Sequence, residues 1–234
     1  MSDGNKADIG SMFDSIAWRY DFLNHFLSFG IDRSWRKKAV RCMSGKYRDP
    51  EILDIATGTG DLALAALSLD PSSITGTDIS PKMLEIASAK VRRKGLEGKI
   101  RFELCDSGNL GFNDNSFDIV MSAFGVRNFS DLQGGLSEMY RVARKGGTVL
   151  ILEFSRPSVF PFRQVYNSYF RHMLPLTGRL FSGDRKAYGY LYDSVMNFPE
   201  GELFINILNG SGFTEVNEER LTLGVVSIYT GVKK

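Results

Sequence analysis

A Gly-Thr-Gly turn with an acidic residue on either side is the part of this sequence best suited to chemistry. The stretch "ILDIATGTGDLALAAL" carries Asp54 in an apolar run, then Gly58, Thr59 and Gly60, then small helix-forming residues. Glycines let a bulky ligand approach the backbone, and the helix that follows presents free N–H groups. Asp78 ends the next apolar run, about 20 residues on, where a carboxylate can accept both hydroxyls of a ribose. The pattern predicts a site for an adenosine-containing molecule.

NAD and S-adenosylmethionine (SAM) both carry an adenosine, and the turn alone fits either. Later segments favour SAM. "CDSGNL" places Asp106 to accept from the exocyclic amine of adenine and the Ser107 backbone to meet a ring nitrogen. "NSFDIVMSAFGVRN", which includes Ala123, ends over the centre of the site, and "ARKGGTVLILEF" supplies a Gly-Gly turn into a further strand. We expect Ile79 and Met83 to enclose the adenine, and we see no hydride-acceptor site that NAD would need.

Alternating strands and helices must position these residues. Apolar runs separated by helical segments predict a parallel sheet covered by helices on both faces. Ser80 is a good N-cap and Pro81 suits the first helical position, so a helix is expected from there to about Lys94. The last two strands, "FTEVNEERL" and "GVVSIYTGVKK", are joined by the short linker "TLG", which predicts a closing antiparallel hairpin.

This order of elements resembles the class I SAM-dependent methyltransferase fold. The resemblance implies a Rossmann-like α/β architecture, with a mostly parallel seven-stranded sheet, a terminal antiparallel hairpin, N-terminal helices and a helical insertion. We expect a single methyltransferase domain over 1–234. Its parts are a helical cap (10–45), a SAM-binding core (50–155), a helical lid or insertion (156–198), and a closing helix with the hairpin (199–234).

The ends of the chain carry a more specific resemblance. "MFDSIAWRYDFLNHFLSFGIDRSWRKKAV", "FGVRN", "MYRVARKGGTVLILEFSRP" and "YGYLYDSVMNFP" resemble the quinone-biosynthesis C-methyltransferases, and the match runs in order over nearly the whole chain. That family methylates the ring of demethylmenaquinol or its ubiquinone-pathway counterpart, with SAM as co-substrate. This chain departs from the usual pattern at Ala56, where glycine is usual, at Ala123, where serine is usual, and at Lys145, where proline is usual.

The resemblance implies a chemistry and the residues that perform it. A phenolate pushes electron density onto the ring carbon that is methylated, so the substrate must be the reduced quinol. An arginine beside the developing phenolate would lower its pKa, which suits Arg127, with Asn128 on the same oxygen. The other interpretation of Arg127 is a structural ion pair that fixes the N-terminal helices. Tyr20 is expected to contact the quinol or move its proton, or else to be a core or lid tyrosine. Asp54 is expected to order the loop or bind the methionine amino group.

The segment from about 156 to 197 is aromatic and basic, and it suits a polyprenyl tail. We expect it to form an apolar lid or tail channel rimmed by positive charge, suited to peripheral docking on anionic lipid. A homodimer interface or a plain helical cap is the alternative, and these uses are compatible. Two other functions stay open: methylation of another small apolar acceptor, and a catalytically silent, prenyl-lipid-binding scaffold.

Composition excludes several classes of protein. The 29 basic and 27 acidic residues give a net charge of +2, too balanced to indicate nucleic-acid binding. Two cysteines and two histidines fit neither a disulfide framework nor a metal site, so no metal is expected. Lone thiols, a polar N-terminus and the lack of a long apolar run predict a cytoplasmic protein. The polyprenyl substrate that the resemblance implies adds peripheral contact with the inner face of the cytoplasmic membrane.

Overall fold

A computed structural model describes residues 14, 28, 30–157, 159–168 and 185–234. Much of the expected helical cap, including Tyr20, lies outside these residues, as does the middle of the expected lid. No helix in the described ranges is long and apolar enough to cross a membrane.

A seven-stranded sheet forms the centre of the protein, with the strand order β3-β2-β1-β4-β5-β7-β6. Strands β1 to β5 pair in parallel, while β7 runs antiparallel to both β5 and β6. The expected mostly parallel sheet with a terminal antiparallel hairpin is therefore confirmed. The strands are β1 (Glu51–Ile55), β2 (Ser73–Asp78), β3 (Ile100–Leu104), β4 (Phe117–Ala123), β5 (Ala143–Phe154), β6 (Thr214–Leu221) and β7 (Val226–Val232).

Helices lie between the strands, as the alternation in the sequence predicts. The helix of small residues after the glycine turn ends early, because after Ala66 the chain tightens into a 3-10 turn at Leu67–Leu69. The described helices are α1 (Asp32–Arg41), α2 (Asp61–Ala66), α3 (Pro81–Arg93), α4 (Leu132–Val142), α5 (Phe162–Ser168), α6 (Arg185–Asn197) and α7 (Glu202–Gly210).

Two apolar clusters cover the two faces of the sheet. Successive residues of a strand point to opposite faces, so Ile52 joins the cluster under α1, α2 and α3 while Leu53 joins the cluster under α4 and α7. Both side chains are fully buried. Because both faces are covered, the carboxyl ends of β1, β2 and β4 are left to form the edge where a ligand can enter.

The start of α3 is fixed by the predicted cap. Ser80 has an extended backbone, Pro81 follows at the first helical position, and the Ser80 hydroxyl accepts a hydrogen bond of 3.2 Å from the Met83 N–H. The same hydroxyl donates to Asp14 Oδ1 at 2.5 Å, and that carboxylate also accepts from the Lys82 N–H at 3.3 Å. The helix therefore begins directly beside Asp78.

Candidate active site

A cleft of about 710 Å³, including its open mouth, lies at the carboxyl ends of β1, β2 and β4. Six of the expected cofactor-binding residues line it: Gly58, Asp78, Ile79, Met83, Asp106 and Ser107. Of the expected catalytic residues that the structure describes, Asn128 lines the cleft.

Asp78 ties together the two turns that frame the cleft. Its Oδ2 accepts from the Gly58 N–H at 2.8 Å, and its Oδ1 accepts from the Ser80 N–H at 2.9 Å. The side chain is 9% exposed, and burial raises the pKa of the carboxyl while these two N–H groups oppose the rise. Each oxygen keeps a second lone pair, so the carboxylate can still accept from a ribose diol.

Asp54 is held beneath the cleft and does not line it. It is fully buried, and its Oδ2 accepts from the Thr57 hydroxyl at 2.6 Å. Burial raises the pKa of this carboxyl to about 7, because the hydrogen bonds it accepts compensate only in part. Oδ1 has no hydrogen-bond partner among the described residues. Asp54 contacts the loop through Thr57, and both of its expected roles, ordering the loop and binding the methionine amino group, stay predictions.

The second half of the glycine turn faces the interior of the fold. The Thr59 hydroxyl accepts from Lys90 Nζ at 2.9 Å, and Lys90 also pairs with Asp61 at 2.8 Å. Gly60 has φ +82°, and a Cβ there would lie 3.0 Å from the Phe102 ring. Neither Thr59 nor Gly60 lines the cleft, so their expected cofactor contact stays a prediction.

The expected adenine wall carries one residue that sequence reasoning missed. Cys105 lines the cleft beside Asp106, whose Oδ1 accepts from the Gly108 N–H at 2.9 Å. Burial raises the pKa of the Cys105 thiol, and neighbouring Asp106 and Glu103 add to the rise, so this group stays protonated. Opposite, Met83 is 2% exposed and offers an apolar surface to a flat ring. Only the position of Cys105 after a strand could have indicated it.

Two cleft residues hold left-handed backbone without being glycine. Ala56, which follows β1, has φ +52°, and Phe124, which follows β4, has φ +58°. Ala56 stands where the sequence comparison expects glycine, and its conformation gives the physical reason for that preference. Its methyl lies against Gly125, where an added Cβ would come within 2.6 Å of it. Strained backbone of this kind concentrates at functional sites.

Arg127 forms a buried ion pair. Its Nη1 donates to Glu153 Oε1 at 2.7 Å and to the Phe124 carbonyl at 2.5 Å, and the guanidinium lies over the Phe154 ring at 5.3 Å. The side chains of Arg127 and Glu153 are 5% and 0% exposed. Sequence reasoning missed Glu153, although a carboxylate inside the apolar run "VLILEF" needs a buried partner. Glu153 is therefore the partner that the ion-pair interpretation of Arg127 requires. Contact of Arg127 with the quinol stays a prediction.

Asn128 is better placed than Arg127 to meet a ligand. It lines the cleft, and its Nδ2 makes one long hydrogen bond, 3.4 Å, to the Phe124 carbonyl. Its Oδ1 is buried and has no partner in the described part of the chain. Ala123 ends β4 without lining the cleft, and Tyr20 lies outside the described residues.

The cleft suits SAM on its own chemistry. It offers the Asp78 carboxylate for a ribose, the Gly58 backbone for close approach and apolar surface for an adenine. Within the described ranges no group of three or more His, Cys, Asp or Glu side chains could hold a metal ion.

Comparison with known proteins gives a consistent result. A model of the ubiE/COQ5 methyltransferase family matches residues 1–233. The demethylmenaquinone methyltransferase of Bacteroides fragilis is 46% identical over 234 residues, covering 99% of this chain and 95% of that protein. The ubiquinone/menaquinone biosynthesis C-methyltransferase UbiE of Geotalea daltonii is 48% identical over 228 residues, covering 96% of each chain. A solved SAM-dependent methyltransferase of Thermotoga maritima shares the fold, with a TM-score of 0.67, 21% identity, and coverage of 97% of this chain and 100% of that one.

The contact between Ala56 and Gly125 predicts a compensating pair. Gly125→Ala should lower the free energy of unfolding by about 1–3 kcal/mol, because the new methyl meets Ala56 and the Ser122 hydroxyl. Ala56→Gly in the same chain removes the nearer contact and the left-handed alanine, and should restore most of the loss. Urea unfolding measures both, with Gly98→Ala as the control, since nothing lies within 4 Å of that position. If the two substitutions changed the free energy of unfolding additively, the contact between positions 56 and 125 would be contradicted.

The Arg127–Glu153 pair predicts a large loss of stability on removal of one partner. Arg127→Ala leaves a buried carboxylate without its cation, so the free energy of unfolding should fall by about 3–5 kcal/mol. The apolar double variant R127M/E153L should recover most of this, because it buries no charge. Lys38→Ala is the control: its pair with Glu219 is half exposed, and its loss should cost about 0–1 kcal/mol. An equally small effect at Arg127 would show that the pair is not buried in solution.

Proposed function

Because the chain belongs to the ubiE/COQ5 methyltransferase family, we propose that it transfers the methyl group of SAM to a ring carbon of a reduced polyprenyl demethylmenaquinol. One observation carries this proposal: family similarity runs through residues 1–233, including the cleft in which Asp78 stands beside Gly58. The relatives' names support the substrate. One is a demethylmenaquinone methyltransferase, and the other name covers both the menaquinone and the ubiquinone pathways. The ubiquinone-pathway benzoquinol is therefore a second acceptor to test.

Binding of SAM is the task of the cleft wall. When bound, SAM supplies an electrophilic methyl group on a sulfonium. Asp78 accepts from the ribose hydroxyls, Met83 and Ile79 enclose the adenine, and Asp106 with the Ser107 backbone meets the adenine edge. Gly58 permits close approach because no side chain stands between its backbone and the ligand. Positioning of the two reactants is the main contribution expected of such a site.

Activation of the quinol needs a group that favours its phenolate form. We assign contact with that oxygen to the Asn128 side chain, which lines the cleft and whose Nδ2 makes one long hydrogen bond to the Phe124 carbonyl, so its second N–H can donate to the phenolate oxygen. Arg127 holds the Phe124 carbonyl and Glu153, so it fixes the turn that carries Asn128. Its Nε is buried without a partner among the described residues. Its charge is offset by Glu153, so we favour a positioning role.

A polyprenyl quinol resides in the bilayer, so the enzyme must reach the membrane surface. We infer a cytoplasmic protein that docks peripherally on the inner face of the cytoplasmic membrane. Association into a homodimer stays a prediction from the sequence.

The substrate and the Asp78 role are tested together. Purified protein should transfer label from SAM to chemically reduced demethylmenaquinol, and transfer should disappear when the quinone is left oxidised, because the oxidised ring is electron-poor. Asp78→Ala should weaken SAM binding in calorimetry by about 2–3 kcal/mol, or roughly 30- to 150-fold in Kd. Glu97→Ala removes an exposed acid at the far end of α3 and is the matched control. Unchanged SAM affinity in a folded Asp78→Ala protein would refute the ribose role, and labelling of neither quinol would refute the substrate.

The role of Arg127 is tested in the double variant, whose stability should be preserved. If Arg127 only fixes the turn, R127M/E153L should lower turnover, bind SAM normally and keep the pH optimum of the wild-type protein, because ionisation of the quinol is unaffected. If its guanidinium stabilises the phenolate, turnover should fall by about a hundred- to a thousandfold, as for loss of one oxyanion donor, and the pH optimum should move upward because the quinol then needs more base to ionise. Melting temperature, turnover and its pH profile measured on one preparation separate these outcomes, and an upward shift of the pH optimum in folded R127M/E153L would contradict the positioning role.

A further inference from the structure

Most of the exposed apolar side chains gather in one region. Seven large hydrophobic residues are exposed among those described, and two of them, Leu104 and Leu203, lie elsewhere. The other five form what we call the apolar rim: Ile31, Val159, Phe160, Phe162 and Leu223. Phe160 is 76% exposed and Leu223 is 59% exposed, so both side chains are in contact with water. Clustering of this kind marks an interaction surface, whereas single exposed residues do not.

Contacts in the structure bring the parts of the apolar rim together. The Trp35 indole N–H donates to the Thr222 hydroxyl at 2.7 Å, which joins α1 to the tip of the β6–β7 hairpin. The Ile31 carbonyl accepts from the Trp35 N–H at 3.0 Å, so Ile31 lies one turn before that joint, and Leu223 follows Thr222 directly. On the other side of the tip, a Cβ at Gly224 would lie 3.4 Å from Pro157, and Val159 and Phe160 follow within three residues.

The hairpin tip holds Leu223 outward in a strained conformation. Thr222, Leu223 and Gly224 have φ values of 49°, 60° and 91°, so two residues with side chains occupy left-handed backbone in succession. Leucine is poorly suited to that conformation, and it buries little here. A polar residue or glycine would suit both the backbone and the solvent better. The combination points to an apolar side chain that is covered during function.

Cations flank the apolar rim. Arg33 and Lys37 lie one turn apart on the exposed face of α1, and Arg163 lies on α5 beside Phe162. Arg33 and Lys37 also border a groove with Lys90, Arg93 and Lys94, whose one acid, Asp61, is paired with Lys90. 

Nearby acids are already neutralised. Glu219 pairs with Lys38 at 2.5 Å, and Glu200 pairs with Arg156 at 2.8 Å. The surface is therefore apolar at its centre and positive at its border, the combination that binds an anionic lipid surface.

We propose that the apolar rim inserts into the headgroup region of an anionic bilayer, with Arg33 and Lys37 contacting lipid phosphates. This rests on the proposed function, since a polyprenyl quinol enters from the membrane. The rim and the cleft share the edge at which β4 and β5 end, and the Phe124 and Phe154 rings that pack there are 4.5 Å apart. A second copy of this chain suits the apolar rim less well than a bilayer does, because a two-fold symmetric contact would place the same positively charged side chains opposite one another.

Vesicle binding of the full chain tests this surface. The protein should cosediment with vesicles of phosphatidylcholine containing about one-third phosphatidylglycerol, and less with phosphatidylcholine alone, with salt weakening the binding. The double variant F160S/L223N removes two apolar side chains and gives the hairpin tip a residue that tolerates left-handed backbone. Its vesicle partition coefficient should fall about tenfold or more, while its melting temperature stays level or rises.

Matched variants separate the surface from general effects. L104S/L203N removes two equally exposed apolar side chains elsewhere and should leave vesicle binding unchanged. R33Q/K37Q should lower binding to the anionic vesicles about fivefold per charge. K46Q/R48Q, at the opposite edge of the sheet, should not. F160W should gain fluorescence quenching by brominated lipid beyond that of the native Trp18 and Trp35, while L203W should not.

The vesicle experiments decide whether the apolar rim binds a membrane, and their results do not depend on whether the protein methylates a quinol. Wild-type protein that ignores anionic vesicles, or F160S/L223N that binds them normally, overturns the proposal. A dimer that F160S/L223N dissociates, with no vesicle binding by either protein, assigns the rim to a second copy and also overturns it. A short-tailed, water-soluble quinol distinguishes the proposed function from the proposed membrane insertion of the apolar rim. F160S/L223N should methylate this quinol normally, because the quinol need not be taken from a bilayer. Failure of wild-type protein to methylate any quinol refutes the proposed function while leaving the vesicle result intact.

Discussion

The hydrogen bonds that the Asp78 carboxylate accepts from the Gly58 and Ser80 N–H groups hold the cleft in shape. Parallel pairing of β1 with β2 brings both strand ends to one edge, but each strand is followed by a turn that could take several paths. A buried carboxylate between the two turns restricts them, because either turn could move away only by leaving charge-assisted hydrogen bonds unmade. The wall that is proposed to hold SAM is therefore preorganised, and the residue proposed to recognise the ribose also orders the site.

The cleft is built at some cost to stability. Ala56 and Phe124 occupy left-handed backbone, Asp54 keeps a buried oxygen without a partner, and Arg127 and Glu153 are both removed from water. Each feature is unfavourable by itself, and each lies at or beneath the ends of β1, β4 and β5. The surrounding sheet, with apolar clusters on both faces, supplies the stability that tolerates them. This distribution is what a preorganised active site requires, since strain and buried charge hold groups that would otherwise relax.

The strand ends carry the proposed membrane-docking surface as well as the cleft. Beyond β5 the chain passes Pro157, which lies against Gly224 of the hairpin tip, while Trp35 ties α1 to the same tip. The proposed docking surface and the proposed reaction site thus share one edge of the sheet, which suits a quinol with a polyprenyl chain.

The sequence by itself determined the elements of this fold and the position of its cofactor cleft. Local signals were sufficient there: apolar runs alternating with helical segments, the Ser80-Pro81 cap, the glycine turn, and Asp78 at a strand end all report on neighbours close in the chain. Sequence also indicated that Gly58, Asp78, Met83 and Asp106 would meet, because the carboxyl ends of parallel strands share an edge. Tertiary structure alone decided the rest. The pairing of Glu153 with Arg127, the contact of the Ala56 methyl with Gly125, and the approach of Gly224 to Pro157 join segments distant in the chain, and no local pattern encodes which distant groups will be neighbours.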